Sequence, residues 1–398
     1  MQEILKDPRR ARVTIALVFA VHGAVAGTFA TRIPWIQHHL DLSAGQLGLA
    51  LVMPALGSSL AMPLAGRLVH RYGGRAAVRA LLTLWCLALA LPALSPSLPL
   101  LCLALLVFGA TAGTADVAMN AQGVEIERGL GRSIMSGLHG MWSAGGLIAS
   151  GFGVLAAQQN LDARLQLAVT ALVLVLAAQL ISRRLPALHP DAEEEAPPRF
   201  ALPPRSALAI GLVGFCAVFA EGASMDWSGV YLRDVTGSSA SVAAAAYTAF
   251  ALTMTVARLA GDAVIGRLGP VPAARISGLV ATAGGILVIV ADTPYLAIPG
   301  FALIGIGIAV VVPLAFAAAG RTGGNPSQAI AGVATVTYTS GLIAPAVIGV
   351  LAQATSLTVS FCLVTALTAA MVLGAGALRR PAAAAEPELV GATSDARG

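Results

Sequence analysis

GLIASGFGVLAAQ, residues 146 to 158, and GLIAPAVIGVLAQ, residues 341 to 353, are two versions of one apolar segment. They align when the second half of the chain is slid onto the first without gaps. The same shift aligns Gly66 with Gly261, and each of these glycines opens a short basic loop after an apolar run. Repetition at matching positions along the chain predicts two structurally related halves.

Composition indicates a membrane protein. The 398 residues are 57% hydrophobic and 11% charged, whereas a soluble domain is about 25% charged. Runs of about 20 apolar residues are long enough to cross a ~30 Å hydrocarbon core. The chain has twelve such runs, near 13–36, 44–65, 76–96, 99–124, 133–157, 163–182, 206–231, 239–260, 272–291, 294–320, 327–353 and 355–378.

We therefore predict an all-α membrane protein whose twelve transmembrane helices form two six-helix, pseudo-symmetric halves. RRLPALHPDAEEEAPPR, which follows the sixth run, is charged and proline-rich and has the composition of a flexible linker. The predicted organisation is an N-terminal six-helix bundle (1–182), a cytoplasmic linker (183–205), a C-terminal six-helix bundle (206–380) and a disordered cytoplasmic tail (381–398).

The distribution of basic residues predicts the orientation. With the N-terminus in the cytoplasm, 21 of the 24 Lys and Arg fall on the cytoplasmic side, and the exceptions are Arg32, Arg164 and Arg233. This asymmetry is the positive-inside rule, and it predicts a multi-pass protein of the cell inner membrane with both termini cytoplasmic. Because the basic residues report topology and do not form a clustered face, we expect no nucleic-acid partner.

The fourth run holds a carboxylate that needs a functional reason. In FGATAGTADVAMNAQG, residues 108–123, Asp116 lies well inside the apolar stretch, where a charge costs roughly 2.5–3.5 kcal/mol on insertion scales. Asn120 is one turn further on and shares its helix face. This face is predicted to line a solute or proton path, with Asn120 binding the solute. Gly109 and Gly113 form a GxxxG pair that favours close helix packing.

The seventh and first runs hold further ionisable residues. Glu221 lies near the centre of its run, and a buried, unpaired carboxylate there suits a proton carrier. Asp226 lies nearer the outer end and either pairs with Arg32 or Arg233 or is solvated. His22 either passes protons to Glu221 or is a hydrogen-bonded packing residue.

The fifth run supplies candidate solute contacts. His139 is followed at i+3 and i+4 by Trp142 and Ser143, which would present an aromatic surface with polar neighbours. The alternative for His139 is a packing role within the bundle. The solute and protons are the expected small partners of these residues, and the lipid bilayer surrounds the bundle.

The loop after the second run, GRLVHRYGGR, resembles the G-x-x-x-D-R-x-G-R-R signature of the major facilitator superfamily, with His70 in place of the Asp. The resemblance extends over the whole chain and implies the fold predicted above. Candidate residues of a cytoplasmic gate, with a solvated loop as the alternative, are Gly66, Arg67, Arg71, Gly74, Arg75, Arg258 and Asp262.

Within the superfamily, Asp116-Val-Ala-Met-Asn120 resembles the acid-x-Ala-x-Asn segment of the fucose:proton symporter branch. Residues 119–146 also resemble uncharacterised bacterial inner-membrane members of the YbjJ type. The resemblance implies a role for Asp116 in sugar transport. Ala30 and Thr31 stand where that branch has a second acid in its first helix.

These features predict a secondary active transporter that moves a small polar, sugar-like solute by alternating access, coupled to protons, in symport. The alternative is a proton-coupled efflux antiporter for amphiphilic compounds. The sequence has no G-x-x-x-x-G-K-S/T loop for ATP and no G-x-S-x-G or H-E-x-x-H motif, so we do not expect an enzyme. We expect a monomer without a cofactor or metal.

Overall fold

The computed structural model describes residues 7–130, 134–187, 205–319, 321 and 326–379. The secondary structure of these residues is helical. Its α-helices are α1 (Pro8–Ala30), α2 (Ile33–His39), α3 (Ala44–Tyr72), α4 (Gly74–Ala88), α5 (Leu91–Leu94), α6 (Leu98–Leu130), α7 (Met135–Gln158), α8 (Ala163–Ser182), α9 (Arg205–Asp234), α10 (Ala240–Leu268), α11 (Pro270–Ile289), α12 (Pro294–Ile308), α13 (Val311–Ala319), α14 (Pro326–Ala354) and α15 (Leu357–Gly374).

Twelve helical segments in the described ranges are long and apolar enough to cross a membrane, which confirms the predicted fold class. Three of them combine two consecutive α-helices: α1 with α2, α4 with α5, and α12 with α13. The first break, at Thr31 and Arg32, precedes Pro34, which occupies the first turn of α2. Proline is tolerated there because the first helical N–H groups have no partner within the helix.

Equivalent residues begin and end helices in the two halves. Ser43 caps α3 in a capping box with Gln46, and Ser239 caps α10. Gly73 (φ 79°) joins α3 to α4, and Gly269 (φ 80°) joins α10 to α11. A positive φ favours glycine, which lacks a Cβ. The repeat therefore extends to the local signals that position the helices.

Helix packing follows the same symmetry. In the first half α1 packs on α7, α3 on α6, and α4 on α8. In the second half α9 packs on α14, α10 on α12, and α11 on α15, which are the equivalent pairs. The halves meet where α3 packs on α14 and α7 on α10. The two contacts are equivalent, because α3 corresponds to α10 in the other half and α7 corresponds to α14.

A glycine pair allows one of these contacts to be close. A Cβ added to Gly48 of α3 would lie 2.8 Å from the Cα of Gly349 of α14 and 2.7 Å from the carbonyl O of Pro345. Both distances are shorter than a real Cβ tolerates, so the two backbones touch. Small residues permit such close approach of helices.

Polar contacts join the halves at the same end of the bundle. The amide Nε2 of Gln37 donates to Oδ2 of Asp234 (3.1 Å), and Nε2 of His38 lies 3.4 Å from Oδ1. The backbone N–H of Gly45 donates to Oε1 of Gln353 at 3.4 Å. These three contacts lie at the end of the bundle opposite to the start of α1.

The GxxxG pair packs inside the first half. Gly109 lies against the backbone of Pro54, and Gly113 lies against Ser58, both on α3. The pair therefore joins α6 to α3. The proposed linker and tail lie largely outside the described residues, so the domain boundaries given above remain a prediction.

Candidate functional site

Asp116 and Asn120 form one polar face of α6. The Nδ2 group of Asn120 donates to Oδ1 of Asp116 (3.1 Å) and to its carbonyl O (2.9 Å). Both side chains are partly buried. The i, i+4 relationship read from the sequence is therefore realised as a direct hydrogen bond.

Two histidines from other helices lie near this carboxylate. His22 of α1 and His139 of α7 both interact electrostatically with Asp116. His139 also interacts with Arg258 of α10, which belongs to the second half. The N-terminal and C-terminal halves thus bring ionisable groups together in the interior of the bundle.

His22 is a fully engaged packing residue. Its Nδ1 accepts a hydrogen bond from Nε1–H of Trp142 (2.9 Å), and its Nε2 lies 3.3 Å from the carbonyl O of Ala112. Because Nδ1 is an acceptor, the neutral ring carries its proton on Nε2 and donates it to Ala112. Trp85 stacks on the ring with centroids 5.2 Å apart. The geometry supports the packing role that the sequence left open, and leaves His22 without a free nitrogen for a relay.

His139 differs from His22 in its exposure and in its hydrogen bonding. Its side chain is exposed, and its ring nitrogens make no hydrogen bond within the described residues. Phe19 contacts the ring edge-on with centroids 5.4 Å apart. Trp142 and Ser143, further along α7, are partly exposed. The indole nitrogen of Trp142 is used by His22, so the face of its ring is what remains to contact a solute.

Glu221 is paired, so the expectation of an unpaired carboxylate is wrong. Nη2 of Arg258 lies 3.0 Å from Oε1 and 3.2 Å from Oε2 of Glu221. This ion pair joins α9 to α10 inside the second half and is partly buried. Arg258, which the sequence analysis grouped with the cytoplasmic loops, therefore pairs from within the eighth span with Glu221.

Asp226 does not pair with either arginine suggested for it. Arg32 donates to the side chain of Gln166 and to the carbonyl O of Leu161 (3.4 Å), and Arg233 donates to the carbonyl O of Ser238 (2.9 Å). Within the described residues the carboxylate of Asp226 makes no hydrogen bond or ion pair. The structure therefore does not contain the suggested pairing, because Arg32 donates to acceptors on and just before α8 and Arg233 to the loop that follows α9.

Tyr247 is an interior residue that sequence reasoning missed. It is buried on α10 and interacts electrostatically with both Glu221 and Asp226. Its hydroxyl approaches α7, since a Cβ added to Gly146 would lie 3.9 Å from it. The sequence contains one signal that could have identified it: a tyrosine in the alanine-rich first part of α10.

The loop residues chosen as a gate are solvent-facing. Arg67, Arg71 and Arg75 are exposed; Gly66 has open space around it, and the tight turn is at Gly73, one residue before Gly74. The side chain of Asp262 lies outside the described residues. The polar contacts between halves described above lie at the other end of the bundle and include Asp234, which the sequence analysis did not single out.

Comparisons with known proteins agree with this architecture. A family model, the Major Facilitator Superfamily, matches residues 15–338. An uncharacterized MFS-type transporter of Yersinia pestis is 36% identical over 370 residues, which cover 93% of this chain and 96% of that protein. Membrane protein MosC of Rhizobium meliloti is 30% identical over 350 residues, which cover 86% and 84%.

Solved structures share the fold. The nucleoside transporter NupG has a TM-score of 0.73 at 13% identity and covers 92% of this chain and 98% of its own. The E. coli fucose:proton symporter FucP has a TM-score of 0.62 at 18% identity, with 94% and 100% covered. Because family model, relatives and fold agree over most of its length, this chain belongs to the Major Facilitator Superfamily of membrane transporters.

Proposed function

We propose that this chain is a proton-coupled secondary transporter that moves a small polar, sugar-like solute across the cytoplasmic membrane. The proposal rests on a partly buried carboxylate inside the spans of each half: Asp116 accepts a hydrogen bond from Asn120, and Glu221 pairs with Arg258. His139 lies within electrostatic range of both Asp116 and Arg258, so these groups form one cluster contributed by both halves. Ionisable groups inside a membrane protein are costly and mark solute or ion paths. The distances between groups in a cluster shared by both halves change when the halves move relative to each other.

The groups around this cluster suit a polyol. Asn120 retains its amide oxygen as an acceptor because its Nδ2 group bonds to Asp116. His139 offers exposed ring nitrogens, and Ser143 offers a hydroxyl one turn further along α7. Trp142 offers a ring face for the apolar side of a sugar. FucP, by its name a fucose:proton symporter, and the nucleoside transporter NupG share this fold.

Asp116 is the proposed proton carrier. Its carboxylate receives a hydrogen bond from Asn120, and within the described residues it forms no ion pair. Protonation removes a negative charge that interacts with His22 and His139. Asp226, which has no polar partner in the described residues, is a second candidate, while Glu221 takes part through its pair with Arg258.

The contacts between the halves support a mechanism of alternating access. The contacts of Gly48 with Gly349 and of Gln37 with Asp234 close one end of the bundle. With both termini cytoplasmic, as the positive-inside pattern indicates, that end is periplasmic. We propose that these contacts open when the halves rock, so that the interior cluster faces each side in turn.

Reconstituted protein tests the proposal. Purified protein in liposomes, supplied with sugars and polyols one at a time, is expected to take up one of them and to alkalinise the external medium as protons enter with it. Proton release on addition of an amphiphilic compound would instead indicate the efflux antiporter. Solute accumulation that is independent of the proton gradient and leaves the external pH unchanged would contradict proton coupling.

A further inference from the structure

A cavity of about 300 Å³ lies between the start of α1 and the end of α8. Arg9 and Arg10 line it from α1, and Arg184 lines it from the residues that follow α8. The solute pathway described above does not include this cavity. It lies where the first candidate span begins and the sixth ends, which is where a transmembrane helix is expected to pass between hydrocarbon and water.

Positive charge dominates the rim. The side chains of Arg9, Arg10 and Arg184 are exposed, and within the described residues no carboxylate pairs with their guanidinium groups. Asp7 also lines the cavity, and its Oδ1 accepts the backbone N–H of Arg10 at 2.9 Å as the cap of α1. The cavity therefore has an excess of positive charge and free guanidinium donors.

The wall that leads into the membrane is apolar. Val13 and Leu17 lie one turn apart on α1 and are 53% and 40% exposed. Ile181 of α8 lines the same cavity and is partly buried. The arginines therefore lie at the water end of a continuous apolar strip. A ligand that fits both parts must carry negative charge at one end and hydrocarbon at the other.

We propose that this cavity binds an anionic phospholipid, with its phosphate held by Arg9, Arg10 and Arg184 and an acyl chain lying along Val13 and Leu17. Arginine binds phosphate with several donors at once, and basic pockets between transmembrane helices at the cytoplasmic face bind anionic headgroups. A free phosphate ion would leave the apolar strip uncovered. The proposal depends on the chain spanning a membrane and not on the identity of the transported solute.

Neighbouring arginines provide matched controls. Arg12 of α1 and Arg183 beside Arg184 are exposed, carry the same charge at the same membrane face, and do not line the cavity. If anionic lipid were held only by general attraction to positive charge, substitution of any of the five arginines would weaken binding equally. If the cavity is a specific site, only substitution of the three arginines that line it will weaken lipid binding.

The full chain in a non-ionic detergent is titrated with dioleoyl phosphatidylglycerol, and bound lipid is counted by native mass spectrometry against dioleoyl phosphatidylcholine. We expect Arg9→Gln, Arg10→Gln and Arg184→Gln each to weaken phosphatidylglycerol binding roughly five-fold, whereas Arg12→Gln and Arg183→Gln bind like the wild type. Arg10→Lys should bind more strongly than Arg10→Gln and more weakly than the wild type, because it keeps the charge but loses the paired donors. Equal melting temperatures without lipid establish that the variants are folded.

Three results would overturn the proposal. Equal losses in the control variants would indicate general attraction to anionic lipid. Full competition by glycerol phosphate at matched concentration would indicate a site for a soluble phosphate. If phosphatidylglycerol bound only after Glu193, Glu194 and Glu195 were replaced by Gln, the native occupant of the cavity would be the acidic linker and not a lipid.

Discussion

Arg258 of α10 holds Glu221 of α9 by two contacts from a single guanidinium nitrogen, at 3.0 and 3.2 Å. The side chains are 32% and 27% exposed, so the pair is neither on the surface nor fully buried. It gives the second half of the bundle an internal ion pair at the level of the interior cluster. The first half has Asp116 with an uncharged partner, so the two halves differ in how they hold negative charge.

The ion pair predicts mutual dependence of its members. Glu221→Gln and Arg258→Gln should each lower stability by about 1–3 kcal/mol, because each leaves a charged group without its partner. Exchanging the charges, with Arg at 221 and Glu at 258, should recover part of the loss. Thermal unfolding in detergent measures this, and single variants that melt like the wild type would argue against a structural pair.

Asp116 is predicted to couple protons to transport. Asp116→Asn keeps the size of the side chain and an oxygen that can accept from Asn120 but cannot carry a proton. Concentrative uptake should fall by about ten-fold or more, the effect of losing a proton-transfer group, while exchange of solute across the membrane continues. Asp162→Asn, at the start of α8 where the side chain is 41% exposed, is the control. Normal concentrative uptake by Asp116→Asn would remove the assignment.

His22 and His139 are predicted to differ in kind. His22→Ala should destabilise the protein by about 1–3 kcal/mol, since it leaves the partly buried indole N–H of Trp142 without its acceptor and removes the ring that stacks on Trp85. His139→Ala should leave the melting temperature close to that of the wild type and reduce solute affinity. Melting curves and uptake assays on both variants distinguish them; the reverse pattern would exchange their roles.

Gly48 is predicted to permit closure of the periplasmic end. Gly48→Val places side-chain atoms against Gly349 and Pro345, where even a Cβ lies within 2.8 Å of the neighbouring backbone. The variant should favour the state in which this end is open, so that a cysteine placed at Gln37, which is buried, reacts several-fold faster with an impermeant thiol reagent. Gly66→Val, which has no neighbour within 4 Å, should leave that rate unchanged.

Local patterns were sufficient for the fold class and for part of the site. Hydrophobic runs and the internal repeat predicted twelve spans in two related halves, and the family comparison confirmed the resemblance. Asp116 and Asn120 were predicted to share a face because the helix repeat alone determines which side chains at i and i+4 meet. The bounds of the domains and the roles of the site residues stay predictions.

The sequence by itself determined which segments cross the membrane and which residues within one helix share a face, because both follow from hydrophobicity and helical periodicity. Only the tertiary structure decided that Glu221 is held by Arg258, that His22 is occupied by Trp142 and Ala112, and that Asp226 has no such partner among the described residues. These contacts join different helices. Their partners depend on how each helix is rotated and tilted against its neighbours, which no local pattern specifies.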